Sequence, residues 1–527
     1  MRVPSPFFRS EHGISRHPSP SVSIDGRRYA LRRSWRRPCA PDRAFQPTKP
    51  ALVRDGSDRG PPTMSSVENA KMTGSIDNTH ELVCIGFGPA AIAVAAAIED
   101  NVRAGSLPPD MRHKVVFLEK QSSTAWQGGL LLPGTNINHN HYRDLATPRD
   151  PGSAFTFARY LKTQGRLFEH GAWSGAVSRI EWSDYVGWAA RQLGQYVRYG
   201  EAVEAIGPAS DGERRTLAVT TGKGRYRARQ VMLACGMEPF LPDQFEAAPN
   251  HLARHAGTYL YYRKELDERV RAAAGRPLHV AIVGSGLSAA EIMHDLLTRY
   301  EPERIHVTSL HRGLPFRQYD MSQFSNQIYM PPEAVRFSAA TPAARRRIFE
   351  KSWATNFSGV DAECSAQEWN FLYERRLMGL SNATIIDRHE IEAVQQIGEQ
   401  LSLRLRDIMT EAPAAPLEAD FVILATGYRD TAPDRLLSGI EGEVEREYDG
   451  LLAITPDYRL KTSGRVSAPI WMNGHCEHTH GIADTQSFSL IAYKAEKIFE
   501  GIRSHLQASL PHPVDQHGDE KKQMSAA

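Results

Sequence analysis

Cysteine is scarce in this chain of 527 residues, and what there is lies scattered. Cys39, Cys84, Cys235, Cys364 and Cys476 form no C-x-x-C pair, which argues against a metal cluster and a redox disulfide and fits a reducing compartment. A bias toward charge of one sign is also lacking. Sixty-three Lys and Arg stand against 61 Asp and Glu, a net charge of +2, so nothing in the bulk electrostatics points to nucleic acid or a membrane surface. No stretch approaches the roughly 18 consecutive apolar residues of a membrane helix. What remains is a chain long enough for two or three domains with sizeable cores, whose partners are expected to be small molecules. The cytoplasm is the simplest location.

The first 50 residues differ from the rest, with ten Arg against three acidic residues (Glu11, Asp25 and Asp42) and many Ser and Pro. Such a leader resembles a mitochondrial transit peptide, although its prolines oppose the amphipathic helix that a transit peptide needs. A disordered tail is the alternative, as is an upstream extension with Met64 or Met72 as the true start. Residues 1–75 are therefore expected to be a disordered or targeting-like extension, and polar residues 511–527 a disordered tail.

Glycine, by contrast, is placed with purpose. Gly86-Phe87-Gly88-Pro89-Ala90-Ala91 follows the apolar run Leu82 to Ile85, and Gly284-Ser285-Gly286-Leu287-Ser288-Ala289 follows His279 to Val283. Each run reads as a buried strand and each sequel as a helix, which is the context a dinucleotide fingerprint requires. The first glycine makes the tight turn and the second lets backbone approach a pyrophosphate. Ala91 or Ala289 then lets helix pack on strand, with the phosphate at the helix N-terminus. Two fingerprints imply two bound dinucleotides.

The strand Lys114 to Leu118 ends at Glu119, an acidic residue suited to the ribose hydroxyls of the first nucleotide. The strand Arg304 to Leu310 is followed by His311-Arg312, where a basic residue favours a 2′-phosphate, hence NADP. Val231 to Gly236 reads as a strand returning to the first domain before the second fingerprint opens. Asp420 to Tyr428 is a strand running through Thr426 and Gly427, and it should close the insert. The expected fold is α/β, with two nested Rossmann-like domains and a small substrate-binding region. Residues 76–245 form the first part of an FAD-binding domain, 246–415 an NADPH-binding domain with a substrate-binding insert, and 416–510 the return to the first domain. Nested dinucleotide sites suit a flavin-dependent oxidoreductase; a disulfide reductase is disfavoured by the missing cysteine pair.

Further segments narrow the reading: Trp126 with Gly128 to Gly134, Arg143 to Pro151, Phe155 to Leu161, Asn326 with Ile328, Asn356-Phe357-Ser358, Ala425 to Tyr428 and His478 to Thr485. In this order they resemble the N-hydroxylating flavin monooxygenases, with the L-ornithine N5-monooxygenases of siderophore synthesis the nearest. The likeness runs over about residues 80 to 500. It implies that NADPH reduces bound FAD, that the reduced flavin captures O₂ as a C4a-hydroperoxide, and that the substrate's side-chain amine attacks the distal oxygen. The protein then positions, excludes water and retains NADP⁺, and no side-chain nucleophile is needed. A lysine-like ammonium titrates near about 10.4 in water, so the amine pocket should disfavour charge by burial.

By the same resemblance Trp126, Gln127 and Asn138 should line the flavin, Thr426, Gly427 and Asp484 should touch cofactor, and Arg143, Asn326, Asn356 and Phe488 should meet substrate. Asn138 stands where the family has Gln, and Arg143 where it has Lys; Arg can pair bidentately with the substrate carboxylate. Gln486-Ser487-Phe488 replaces two leucines and a serine, so that serine's contact is lost unless Ser487 or Ser489 substitutes. These departures leave open another amine as substrate, such as lysine, a diamine or an amino-acid α-amine, for a different secondary metabolite. A Baeyer–Villiger or xenobiotic monooxygenase is disfavoured by the Arg143 to Thr147 and Asn356 to Ser358 segments. A binding or regulatory flavoprotein without turnover is disfavoured by the intact fingerprints. His475, Cys476, His478 and His480 cluster in sequence but are not expected to hold a metal, and Cys235 is expected to be a small core residue rather than a nucleophile. The resembled family is commonly oligomeric, which implies a homo-oligomer.

Overall fold

The computed structural model describes residues 79–508, apart from 173–174, 210–214, 274, 321, 356, 358, 431, 448 and 485–486. All of them fall in one compact unit, residues 71–527. The leader and the tail lie outside the described residues.

Leu82–Ile85, four fully apolar residues, is the buried central strand of a five-stranded parallel sheet. The order is Ile470–Met472, Val231–Leu233, Leu82–Ile85, Val115–Glu119 and Val197–Tyr199. Leu82–Ile85, Val115–Glu119 and Val231–Leu233 are buried apolar runs and so were legible in the sequence, whereas Ile470–Met472 and the less buried Val197–Tyr199, three residues each, were not. Pro89, preset for a first helical turn, opens the helix Pro89–Arg103. The alanine run Ala93 to Ala97 is wholly buried and lets this helix pack closely against the C-terminal helix Ile491–Ala508. A second, four-stranded sheet, Thr79–His80, Gly224–Ala228, Leu217–Thr221 and Val203–Pro208, flanks the first.

The insert carries its own five-stranded parallel sheet, ordered Ala253–His255, Phe421–Leu424, Leu278–Val283, Ile305–Leu310 and Ala383–Ile386. Phe421–Leu424 pairs along Val280 to Val283, and Leu417–Ala419 joins an antiparallel sheet with Gln400–Asp407 and His389–Ile397. The chain therefore leaves the inserted sheet after Leu424, later than the expected boundary at 416. The reason is physical: this apolar strand completes the insert's own core before the turn that follows it.

Two linkers join the sheets. The outgoing one contains Glu238–Pro239 and the returning one Tyr428–Arg429, and they pair antiparallel. Gly128 and Gly129 meet the segment Ala256–Thr258 so closely that a Cβ on Gly129 would collide with the Gly257 carbonyl oxygen, and one on Gly128 with the Tyr261 hydroxyl. Buried Arg179, at the start of the helix Arg179–Gln192, forms a bidentate pair with Glu291 on the helix Leu287–Arg299, at 2.8 and 2.6 Å. This pair ties the two dinucleotide domains together across their interface.

Candidate functional site

Both fingerprints fold alike. Gly86 (φ +98°) and Gly284 (φ +139°) sit in backbone conformations that side chains rarely adopt, and a Cβ on either would strike a carbonyl oxygen, Ala234 or Ala425 respectively. Gly88 and Gly286 are helix N-caps with no side chain to cap the first turn, which leaves first-turn amides of both helices without a side-chain partner. Around Gly88 a Cβ would meet nothing within 4 Å. Ala91 and Ala289 are fully buried at the helix–strand contact, as the fingerprint demands. Two open, glycine-lined helix N-termini are fitted to two pyrophosphates.

Glu119 ends its strand with one carboxylate oxygen accepting the Phe87 N–H (2.8 Å) inside the first fingerprint and the other accepting the Gln121 N–H (2.9 Å). Each oxygen keeps a second lone-pair direction, enough for a ribose hydroxyl. The second fingerprint opens on a cleft of about 1310 Å³ lined by Gly284, Ser285, Gly286, Ser288, Arg312, Thr426 and Gly427. Arg312 and Arg317 are cationic members of that lining, with Arg312 just beyond the strand end. The donor set at each end therefore fits an FAD-like and an NADP-like molecule.

A smaller cavity of about 240 Å³ shares Asn138, Leu287, Ser288, Tyr319 and Tyr428 with the cleft, so the two communicate. Trp126, Gln127, Arg143, Asn326 and Phe488 line it. Arg143, Asn326 and Phe488, expected at the substrate, thus share one cavity with Trp126 and Gln127, expected at the flavin. Asn356 lies outside the described residues. Asp484 is buried, accepts the Cys476 N–H (3.2 Å) and pairs with buried Lys494 (3.2 Å), contacts that fix its loop.

Arg143 Nη1 donates to Ser489 Oγ at 2.9 Å, and Ser487 Oγ donates to Ser489 Oγ at the same distance. The hydroxyls of Ser487 and Ser489 thus flank Phe488 on the lining of the small cavity. Phe488 instead stacks on His139 (5.3 Å, 12°) and meets Trp126 and Trp182 edge-on (5.4 and 5.3 Å). Burial, aided by the charge of Arg143, pushes His139 down to about 4, so it is a neutral ring in this box. Tyr329, pushed up to about 12 by burial, stays protonated and donates to the Thr355 carbonyl. Among the described lining residues there is no carboxylate, and the two guanidiniums differ: Arg179 is held by Glu291, whereas Arg143 has only a neutral hydroxyl partner at hydrogen-bond distance. His139, Tyr319, Tyr329, Ser487 and Ser489 were not singled out from the sequence as cavity residues; only the Ser487/Ser489 question hinted at them.

The histidines after Asn473 disperse. His478 Nε2 meets the Leu452 carbonyl (2.8 Å), His480 stacks on Tyr458 (3.9 Å), and His475 bonds Asp430 through Nδ1. Cys235 is only part-buried, and its Sγ lies 3.3 Å from His475 Nε2, so the expectation of a plain core residue misses a polar partner.

The sequence profile of the L-lysine 6-monooxygenase/L-ornithine 5-monooxygenase family matches residues 78–430. The chain belongs to that family. The chain is 30% identical over 490 residues to an L-ornithine N(5)-monooxygenase of Aspergillus oryzae, covering 87% of this chain and 93% of that protein. Among solved structures, an ornithine N-hydroxylase of Kutzneria, described with reduced FAD, NADP⁺ and L-ornithine, superposes with a TM-score of 0.74 at 26% identity over 81% of this chain and all of that one. The L-lysine 6-monooxygenase of Pseudomonas syringae superposes at 0.70 with 36% identity, over 81% and 99%. Among the described residues no helix is long and apolar enough to cross a membrane.

Proposed function

We propose that this protein is an FAD- and NADPH-dependent monooxygenase that hydroxylates the side-chain amine of L-ornithine, giving N5-hydroxyornithine for a hydroxamate siderophore. The observation that carries the substrate reading is the small cavity, in which Arg143 awaits an anion, no described lining residue is acidic, and the cofactor cleft opens at Asn138 and Tyr428. The Arg143 guanidinium, oriented by Ser489, binds the α-carboxylate with charge-assisted hydrogen bonds. The side chain then extends past Asn138 toward the cleft. Because no described residue of the small cavity is acidic, an amine held there loses its proton more readily than in water, and the neutral amine is the nucleophile the reaction needs. Bound FAD, reduced by NADPH, supplies the oxygen-activating chemistry. The aromatic box of Trp126, His139 and Phe488 excludes water at that end, and Asn326, which lines the same cavity with Tyr329, supports this reading as a partner for the substrate backbone.

Lysine is the second reading, favoured by the 36% identity to the Pseudomonas syringae enzyme. A diamine would leave Arg143 without an anion. Hydroxylamine product is to be measured with FAD-loaded protein, NADPH and a panel of L-ornithine, L-lysine and diamines. Ornithine turnover is expected; product from lysine alone moves the assignment to the second reading, and amine-independent peroxide alone overturns both.

A further inference from the structure

Three chemistry-bearing residues meet beside the first fingerprint from three separate segments. Cys235 lies on the outgoing linker next to Ala234, whose carbonyl backs Gly86. Asp430 lies on the returning linker and lines the cofactor cleft. His475 reaches both from the loop after the strand Ile470–Met472: Nδ1 meets Asp430 Oδ1 and Nε2 faces Cys235 Sγ at 3.3 Å. The imidazole is buried, and its backbone is left-handed (φ +63°), a conformation that aims the ring rather than relaxes it.

A carboxylate that orients an imidazole whose other nitrogen faces a thiol is an arrangement that activates sulfur. Burial opposes charge on His475, but the hydrogen bonds and charges of Asp430 and Cys235 outweigh it and carry the group up to about 10. Cys364, also part-buried, has no such partner in its surroundings. Burial, reinforced by Asp361, Glu368 and Glu291, pushes its thiol up to about 12. Cys84 and Cys476 are fully buried, and burial pushes both thiols well up from the ordinary range.

We propose that Cys235 is a modification site: a thiol that His475 and Asp430 activate toward small hydroperoxides. The sulfur attacks one oxygen of hydrogen peroxide. The S–O bond forms as the O–O bond breaks, sulfur gives up two electrons, and the thiol proton passes by way of His475 to the departing hydroxide, leaving sulfenic acid and water. The inserted oxygen then separates Sγ from Nε2, so the bond that joins the outgoing linker to His475 is lost until a thiol reductant restores it.

The probe is hydrogen peroxide added to the full-length FAD-loaded protein, with dimedone trapping and peptide mass spectrometry. Cys235 is expected to label at least about tenfold faster than Cys364, since the thiolate is the reactive species, and dithiothreitol given before the trap should erase the signal. His475→Gln should bring the Cys235 rate down to that of Cys364, and Asp430→Asn should lower it in part. Equal rates at Cys235 and Cys364 in the parent protein overturn the proposal. So does unchanged Cys235 labelling in His475→Gln. If His475→Gln fails to retain its flavin absorbance, Asp430→Asn decides, and an unchanged rate there overturns the proposal. Added peroxide makes the test independent of which amine is hydroxylated.

Discussion

Arg143 concentrates the consequences at the scale of single residues. If its guanidinium holds the substrate carboxylate, Arg143→Ala removes a charge-assisted contact of about 1.5–3 kcal/mol, and steady-state kinetics should show KM for ornithine raised about ten- to a hundredfold with kcat changed less. Ser489→Ala, which only orients Arg143, should act in the same direction more weakly; an unchanged KM in Arg143→Ala would remove Arg143 from the substrate site. His311 makes a separate prediction. It is fully buried, and burial pushes it down to about 4. The folded state therefore prefers the neutral ring. As pH falls from about 6.5 toward 4 the unfolded chain takes up the proton first, and stability declines by up to about 3 kcal/mol from this group. His311→Phe should flatten that acid limb in thermal melts between pH 6.5 and 5, and an unaltered acid limb would assign the loss to other groups.

The two strand–turn–helix elements offer a paired test at the next scale. Gly86→Ala and Gly284→Ala each force a Cβ against a carbonyl oxygen at a left-handed position, but at different nucleotides. Gly284→Ala should purify with its flavin spectrum intact and bind NADPH poorly. Gly86→Ala should emerge largely without flavin. Titration of NADPH into the first variant and the visible spectrum of the second decide it; loss of flavin from both would mean that the elements do not act independently. These elements were legible in the sequence because their rules are local: a buried apolar run, glycines at fixed spacing and a helical period within about twenty residues. Asp484 shows the limit of such reading. Its motif assigned it to the cofactor, and the fold adds a buried partner, Lys494, that no local pattern announces.

Across the whole molecule, the Arg179–Glu291 pair decides how firmly the two domains hold their relative placement. Glu291→Ala leaves a buried guanidinium unpaired, at a cost of about 3–5 kcal/mol, and calorimetry should show a lower Tm. Arg179→Met with Glu291→Leu should recover most of it, because both charges leave together; if the double variant is no better than the single, the pair's role lies elsewhere. Members of the cavity between domains were legible only through the family resemblance, which assigned Arg143, Asn326 and Phe488 to substrate; the contacts among them were not. Arg143 and Ser489 are 346 positions apart, and Cys235 and His475 are 240 apart. No local periodicity reports a side-chain contact over such separations.

The sequence by itself determined the two dinucleotide folds, their nesting and the family, because backbone conformation, helix starts and strand burial depend on neighbouring residues. Only the tertiary structure decided which polar groups face one another: the hydroxyls that serve Arg143, the neutral aromatic box around Phe488, and the imidazole beside Cys235. Their chemistry depends on burial and on distances of a few ångströms between segments remote in the chain. Those are set by packing the two domains against each other, after every local rule has been satisfied.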